Sequence, residues 1–157
     1  MSEPLPLYET KVIEDWIDYN GHLYDGYYAV LFARAVDEFL IKVGLDGPTR
    51  EATRRTVYTM ETHVRFLREV KLGERAAIAA LVLEIDTKRA RLFLEMHRDG
   101  ILSATSEQLL MSIDQSGEVP KAAPWLEPTA AVLTQLQRRH AAIPVPDAAG
   151  RGIAIRR

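Results

Sequence analysis

The chain has 157 residues, 47% hydrophobic and 27% charged, with a formal charge of −2 and no cysteine. That size suits one domain whose core stands without disulfides or metal, and the missing cysteines exclude a thiol nucleophile, a disulfide framework and a thiolate zinc site. The charge gives no footprint of a nucleic-acid binder, no run approaches the ~18 apolar residues of a membrane span, and no basic-then-apolar leader opens the chain, so the expectation is a cytoplasmic protein.

In chain order, Tyr8 to Glu14 alternates like a short strand. A polar loop follows, and then a segment rich in Ala, Val, Leu, Ile and aromatics from Gly26 to Val43. Its charges Arg34, Asp37, Glu38 and Lys42 share one face, which predicts a helix buried on most of its other sides. Asp25 is the expected N-cap and Gly44 the expected stop. Residues 45–55, with Gly47-Pro48, read as a loop.

Four strand-like runs come next: Thr56 to Phe66, Ala76 to Ile85, Arg89 to His97 and Ile101 to Ile113. Arg98-Asp99-Gly100 marks a tight hairpin between the last two. Pro120 to Pro128 reads as a linker and Thr129 to Ala142 as a closing helix with Pro128 at its first turn. The domain is expected to span 1–146, with 147–157 as a tail. A single apolar helix beside one antiparallel meander hides its surface only if the sheet wraps around it. The expected class is therefore α+β, with one long helix inside a curled sheet and a second helix at the C-terminus.

The densest chemistry lies between the first strand and the long helix, from Asp15 to Tyr28. Three acids, an Asn, a His and two Gly are mixed there with Trp16, Tyr19, Tyr24, Tyr27 and Tyr28. Polar groups at a helix N-terminus sit where an electron-rich oxygen is best stabilised.

With that order in hand, Asp18-Tyr19-Asn20-Gly21-His22 resembles the motif of hot-dog thioesterases of the 4-hydroxybenzoyl-CoA thioesterase type. The Asn20-x-His22 pair also looks like the motif of plant acyl-carrier-protein thioesterases. Taken with the run Glu61 to Glu69, Asp15 to His22 is similar to small thioesterases linked to carnitine catabolism and betainyl-CoA hydrolysis. The resemblance implies the hot-dog fold and an acyl-CoA substrate whose acyl group is small and polar or cationic. It also implies an edge-to-edge homodimer, often a dimer of dimers, with the active site at the subunit interface. A different acyl-CoA, an acyl-carrier-protein substrate and a non-catalytic ligand-binding or scaffolding hot-dog domain are the alternatives.

Thioester hydrolysis needs a nucleophile or an activated water, and something to hold charge on the carbonyl oxygen. There is no Gly-x-Ser-x-Gly elbow and no Cys, which leaves a carboxylate. Asp18 is the candidate, as general base or as direct nucleophile, with Asn20 and His22 as helpers. Short acids also bond loop amides, and Asn-Gly is a common turn pair, so both residues have a structural reading as well. The first backbone N–H groups of the helix, at Tyr24, Asp25 and Gly26, are candidates for polarising the carbonyl.

Trp16, Tyr19, Tyr27 and Tyr28 are candidate walls for the acyl group, and aromatic faces also suit a quaternary ammonium. Glu61 and His63 share a strand face with Arg65 and are candidate site residues, Glu61 as the complement to a cation. Arg65, Arg68, Lys71 and Arg91 are candidates for CoA phosphates. None of the four His has a metal-binding spacing, so no metal is expected, and no cofactor beyond the CoA of the substrate.

Overall fold

Tyr28, Leu31, Phe32, Ala35, Val36, Phe39 and Leu40 recur every three or four residues and form the buried stripe of helix α1, Asp25–Lys42. In the computed structural model, which describes residues 3–155, this stripe lies against a curled antiparallel sheet. Each of the larger side chains contributes about 1.5–3 kcal/mol on full burial. Gly44, at φ +84°, ends the helix in the left-handed conformation that glycine adopts freely.

The strands are β1 (Leu5–Lys11), β2 (Arg55–Phe66), β3 (Arg75–Ile85), β4 (Arg89–Arg98), β5 (Ile101–Asp114) and the short β6 (Lys121–Ala122). They run in the spatial order β1-β3-β4-β5-β2, with β6 against the end of β5. β2 and β1 are the two edges. On β4, Leu92, Leu94 and Met96 enter the same core as α1, as the alternation predicts. The β4–β5 hairpin turns through Asp99 and Gly100, both at positive φ, so the expected tight turn forms. This wrapped arrangement is the hot-dog fold.

Four details depart from the sequence reading. The first strand begins at Leu5 and ends at Lys11, and a 3-10 turn, Glu14–Trp16, follows it. Asp25 is the first helical residue and Tyr24 the N-cap. Residues expected as a loop contain a short helix α2, Gly47–Thr53, because the Asp46 carboxylate accepts the Thr49 N–H at 2.9 Å and Pro48 sits where its missing N–H costs nothing. Finally, α1 is buried along one stripe rather than on most sides: Val30 and Ile41 remain exposed.

The closing helix α3, Glu127–His140, packs on β3 through buried Leu133, Leu136 and His140. β1 pairs with β3 only as far as Ala80, so the N–H of Val82 has no strand to meet. His140 Nδ1 accepts it instead, at 2.9 Å. Burial, followed by the charge of Arg139, pulls His140 below its ordinary value of 6.5. The neutral ring is therefore the form that stabilises the fold. This contribution is complete above pH 6.5, where the unfolded chain is also neutral, and is lost as pH falls from there toward the lower folded value. His140→Ala is expected to cost about 1–3 kcal/mol by orphaning a buried N–H. In thermal melts between about pH 8 and pH 5 it should also flatten the acid-side loss of stability seen in the wild type.

Candidate active site

Residues 17–24 fold into a small loop with its own internal bonds. Ile17 bridges Leu23, the Asp18 N–H donates to the His22 carbonyl at 2.8 Å, and the Gly21 N–H donates to the Asp18 carbonyl at 3.0 Å. Gly21, at φ +80°, makes the reversal that a side chain would resist. The loop is tied to the segment after β2: Leu23 N–H donates to the Val70 carbonyl at 2.7 Å, and His22 bridges Lys71.

One oxygen of Asp18 accepts backbone N–H bonds from Asn20 at 2.8 Å and His22 at 3.2 Å. Its other oxygen has no hydrogen-bond partner among the described residues. Partial burial pulls the Asp18 carboxyl up, but the His22 and Asn20 N–H bonds together outweigh it and hold the group below 3.8. Asp18 is thus anchored through one oxygen and charged at neutral pH.

Asp18 lines an open cavity of about 570 Å³ with Tyr19, His22, Leu23, Tyr24, Asp25, Tyr28, Phe66, Leu67, Arg68 and Glu69. Tyr28 is only 4% exposed and meets Phe66 edge-on at 5.0 Å, which makes a rigid aromatic floor. Tyr19 is 94% exposed and stands at the mouth. His22 Nε2 lies 3.1 Å from Glu69 Oε2. Three carboxylates line the cavity against one guanidinium and one imidazole.

At the helix start, the Tyr24 N–H is taken by the Trp16 carbonyl at 2.9 Å, and the Gly26 N–H by the Asp25 carboxylate at 2.8 Å. The Asp25 N–H alone of these three has no partner among the described residues, so it remains as the backbone donor for a carbonyl oxygen.

Several residues singled out from sequence lie elsewhere. Trp16 is buried, stacks on Tyr27 at 5.9 Å and carries the Arg34 guanidinium 5.5 Å from its ring, so both aromatics are packing and not cavity wall. Asn20 is exposed and does not line the cavity; its backbone N–H holds Asp18 at 2.8 Å, and its side chain adds a smaller pull that lowers the Asp18 carboxyl. On β2, Val64 and Phe66 turn toward α1. Strand alternation then puts Glu61, His63 and Arg65 on the opposite face, where Glu61 and His63 line a separate cavity of about 330 Å³ with Arg91 and the Gly150–Gly152 stretch.

Arg91 is held between Glu84 at 2.5 Å and Glu107 at 2.6 Å, and those bonds raise its pKa. It is spent on ion pairs rather than left for a phosphate. Glu107 also accepts the Gly150 N–H at 2.7 Å, so the tail lies back on its own sheet at Gly150–Gly152, while Ile153 and Ile155 stand exposed; Arg156 and Arg157 fall outside the described residues. Of the cationic candidates, Arg68 lines the cavity and Lys71 stands 3.9 Å from Glu69. Leu23, Phe66, Leu67 and Glu69 are cavity residues that the sequence reading left without a role. Phe66 to Glu69 stood inside the run Glu61 to Glu69, but no spacing says that the end of a strand returns to a helix start forty residues earlier.

Among the described residues, no three His, Asp or Glu side chains converge into a metal-binding group, and no helix is long and apolar enough to cross a membrane.

A wrapped sheet around one helix, with a charged carboxylate in the loop before that helix, defines a hot-dog thioester hydrolase. The model of the thioesterase-like superfamily matches residues 12–148, and the chain belongs to that superfamily. It is 38% identical to a betainyl-CoA thioesterase of Pseudomonas aeruginosa, over 99% of this chain and 98% of that one. It is 36% identical to an L-carnitine dehydrogenase/betainyl-CoA thioesterase of Rhizobium meliloti, again over 99% of this chain, but spans 31% of that longer protein. Among solved structures, a Staphylococcus aureus protein in complex with CoA superposes with a TM-score of 0.88 at 28% identity, covering 98% of this chain and 97% of that one. A putative thioesterase of Pseudomonas putida superposes at 0.83 with 32% identity, covering 99% of both.

Asp18→Asn keeps the loop's shape, because an amide oxygen still accepts the two N–H bonds, but removes the charge. It is expected to lower thioester hydrolysis by about 100-fold or more with an unchanged melting temperature, measured by thiol release and thermal unfolding. Because the Asp18 carboxyl is held below 3.8, the acid limb it contributes to the wild-type pH–rate profile should fall below that value.

Proposed function

We propose that the chain hydrolyses betainyl-CoA to betaine and CoA. The observation that carries this is the cavity itself: Tyr19, Tyr24, Tyr28 and Phe66 surround a space bounded by three carboxylates. A trimethylammonium group has no N–H to donate, so a protein holds it by π faces and by charge, with each cation–π contact contributing about 0.5–2 kcal/mol. An uncharged acyl chain gains nothing from the carboxylates. The names of the relatives at 38% and 36% identity point to the same substrate.

In this reading the thioester carbonyl lies between Asp18 and the Asp25 N–H. The Asp18 oxygen that accepts no hydrogen bond is the one free to attack the carbonyl carbon directly. The acyl–oxygen bond forms, the acyl–sulfur bond breaks and CoA leaves as the thiolate. Water then splits the mixed anhydride and restores Asp18. The reaction needs no cofactor beyond the CoA of the substrate. Arg68 and Lys71, at the side of the cavity, are the cations placed to meet CoA phosphates.

The site is completed in this reading by a second copy of the chain. β2 is an edge strand with Tyr58 and Met60 exposed, and α1 leaves Val30 and Ile41 uncovered. Unpaired strand edges with exposed apolar side chains call for a partner. Sedimentation should give at least twice the 17.7 kDa of one chain.

The substrate test is a panel of acyl-CoAs read by free-thiol release. Betainyl-CoA is expected to exceed acetyl- and benzoyl-CoA in kcat/KM by about tenfold or more, the scale set by one desolvated cation contact. Equal rates across the panel would remove the betainyl assignment and leave the superfamily.

A further inference from the structure

Glu69 follows β2 in the stretch that pairs with the motif loop, and its carboxylate lines the cavity. Its Oε2 faces His22 Nε2 at 3.1 Å and Lys71 Nζ at 3.9 Å, while Oε1 has no partner among the described residues. The other two cavity acids are committed differently. Asp18 accepts two backbone N–H bonds and carries the chemistry, and Asp25 accepts the Gly26 N–H beside the carbonyl donor. Asp25 and Glu69 each keep one oxygen without a partner among the described residues, and of the two Glu69 is the one that does not belong to the residue supplying the carbonyl donor. Glu61, the cation partner expected from sequence, is on the other face of the sheet.

We infer that Glu69 is the specificity-determining residue, whose carboxylate selects a permanently cationic acyl group over an uncharged group of the same shape. This rests on the betainyl reading of the preceding subsection. In a betainyl thioester the ammonium nitrogen is two bonds from the carbonyl carbon, so a carbonyl held at Asp18 keeps the cation inside the same cavity. A quaternary ammonium offers no hydrogen bond, and its recognition depends on a nearby anion and on aromatic faces. The cavity supplies both, with Glu69 near the edge-packed pair of Tyr28 and Phe66. The Glu69 side chain is 59% exposed, and a charge near the ligand at such a half-solvated position still discriminates against a neutral isostere.

The test compares betainyl-CoA with 3,3-dimethylbutanoyl-CoA, in which carbon replaces the nitrogen and shape is kept. The readout is the ratio of the two kcat/KM values, in the wild type and in Glu69→Gln. Gln keeps an acceptor for His22, and the side chain is solvated, so folding is preserved; melting curves check this. The wild-type ratio should favour the cation, and Glu69→Gln should reduce that ratio by about tenfold or more. Glu69→Lys should push it further toward the neutral substrate. A wild-type preference that Glu69→Gln leaves within about twofold would overturn the inference while the betainyl reading stands. A fall in both rates with an unmoved ratio would also overturn it, because Glu69 would then act through His22. A wild type without preference for the cation would overturn both.

Discussion

The site depends on one short pairing, between the motif loop and the strip of chain that leaves β2. Leu23 N–H meets the Val70 carbonyl, His22 bridges Lys71, and Val12 and Gly73–Glu74 exchange backbone bonds beside them. Val70 is fully buried, so the pairing is made in a dry environment where each unmade bond costs ~1–3 kcal/mol. It brings Phe66 onto Tyr28 and Glu69 beside His22. Without it the start of α1 faces solvent and no cavity exists.

The division of labour among the acids follows from how each is bonded. Backbone N–H groups fix one oxygen of Asp18 and keep its charge, so its position is set by the loop and not by a rotamer choice. Asp25 leaves its own N–H unbonded while its carboxylate takes the next one. Glu69 is held by a ring nitrogen and a distant ammonium, which leaves its field open to the cavity. The negative lining suits the cationic acyl group proposed above, and Arg68 and Lys71 offer the opposite charge beside it.

Much of this was legible in the chain. The stripe from Tyr28 to Leu40, the alternation of β4 and the Asp99-Gly100 turn are local patterns whose physics needs no partner, and they placed the helix, the sheet and the hairpin. The Asp18 loop was legible because Asn20-Gly21 and a following apolar helix are local too. The short helix α2 was hidden because Gly47-Pro48 signals a turn as readily as a first helical turn, and the cap at Asp46 decides between them. Glu61 and His63 were correctly placed on one strand face, but alternation says that two residues share a face and not which face meets α1. Arg91 looked free because its partners Glu84 and Glu107 come from two other strands.

By itself, then, the sequence determined the class of fold, the carboxylate at the head of the central helix and the exclusion of thiol and serine-elbow chemistry. These depend on residue type and on spacings of two to four residues. Only the tertiary structure decided that Glu69 and Phe66 line the cavity beside Asp18, that Trp16 and Tyr27 pack with the core, and that the Asp25 N–H is left without a partner among the described residues. Those are questions of which distant segments pay their backbone bonds to one another, and the wrapping of β2 and its following strip onto the motif loop answers them.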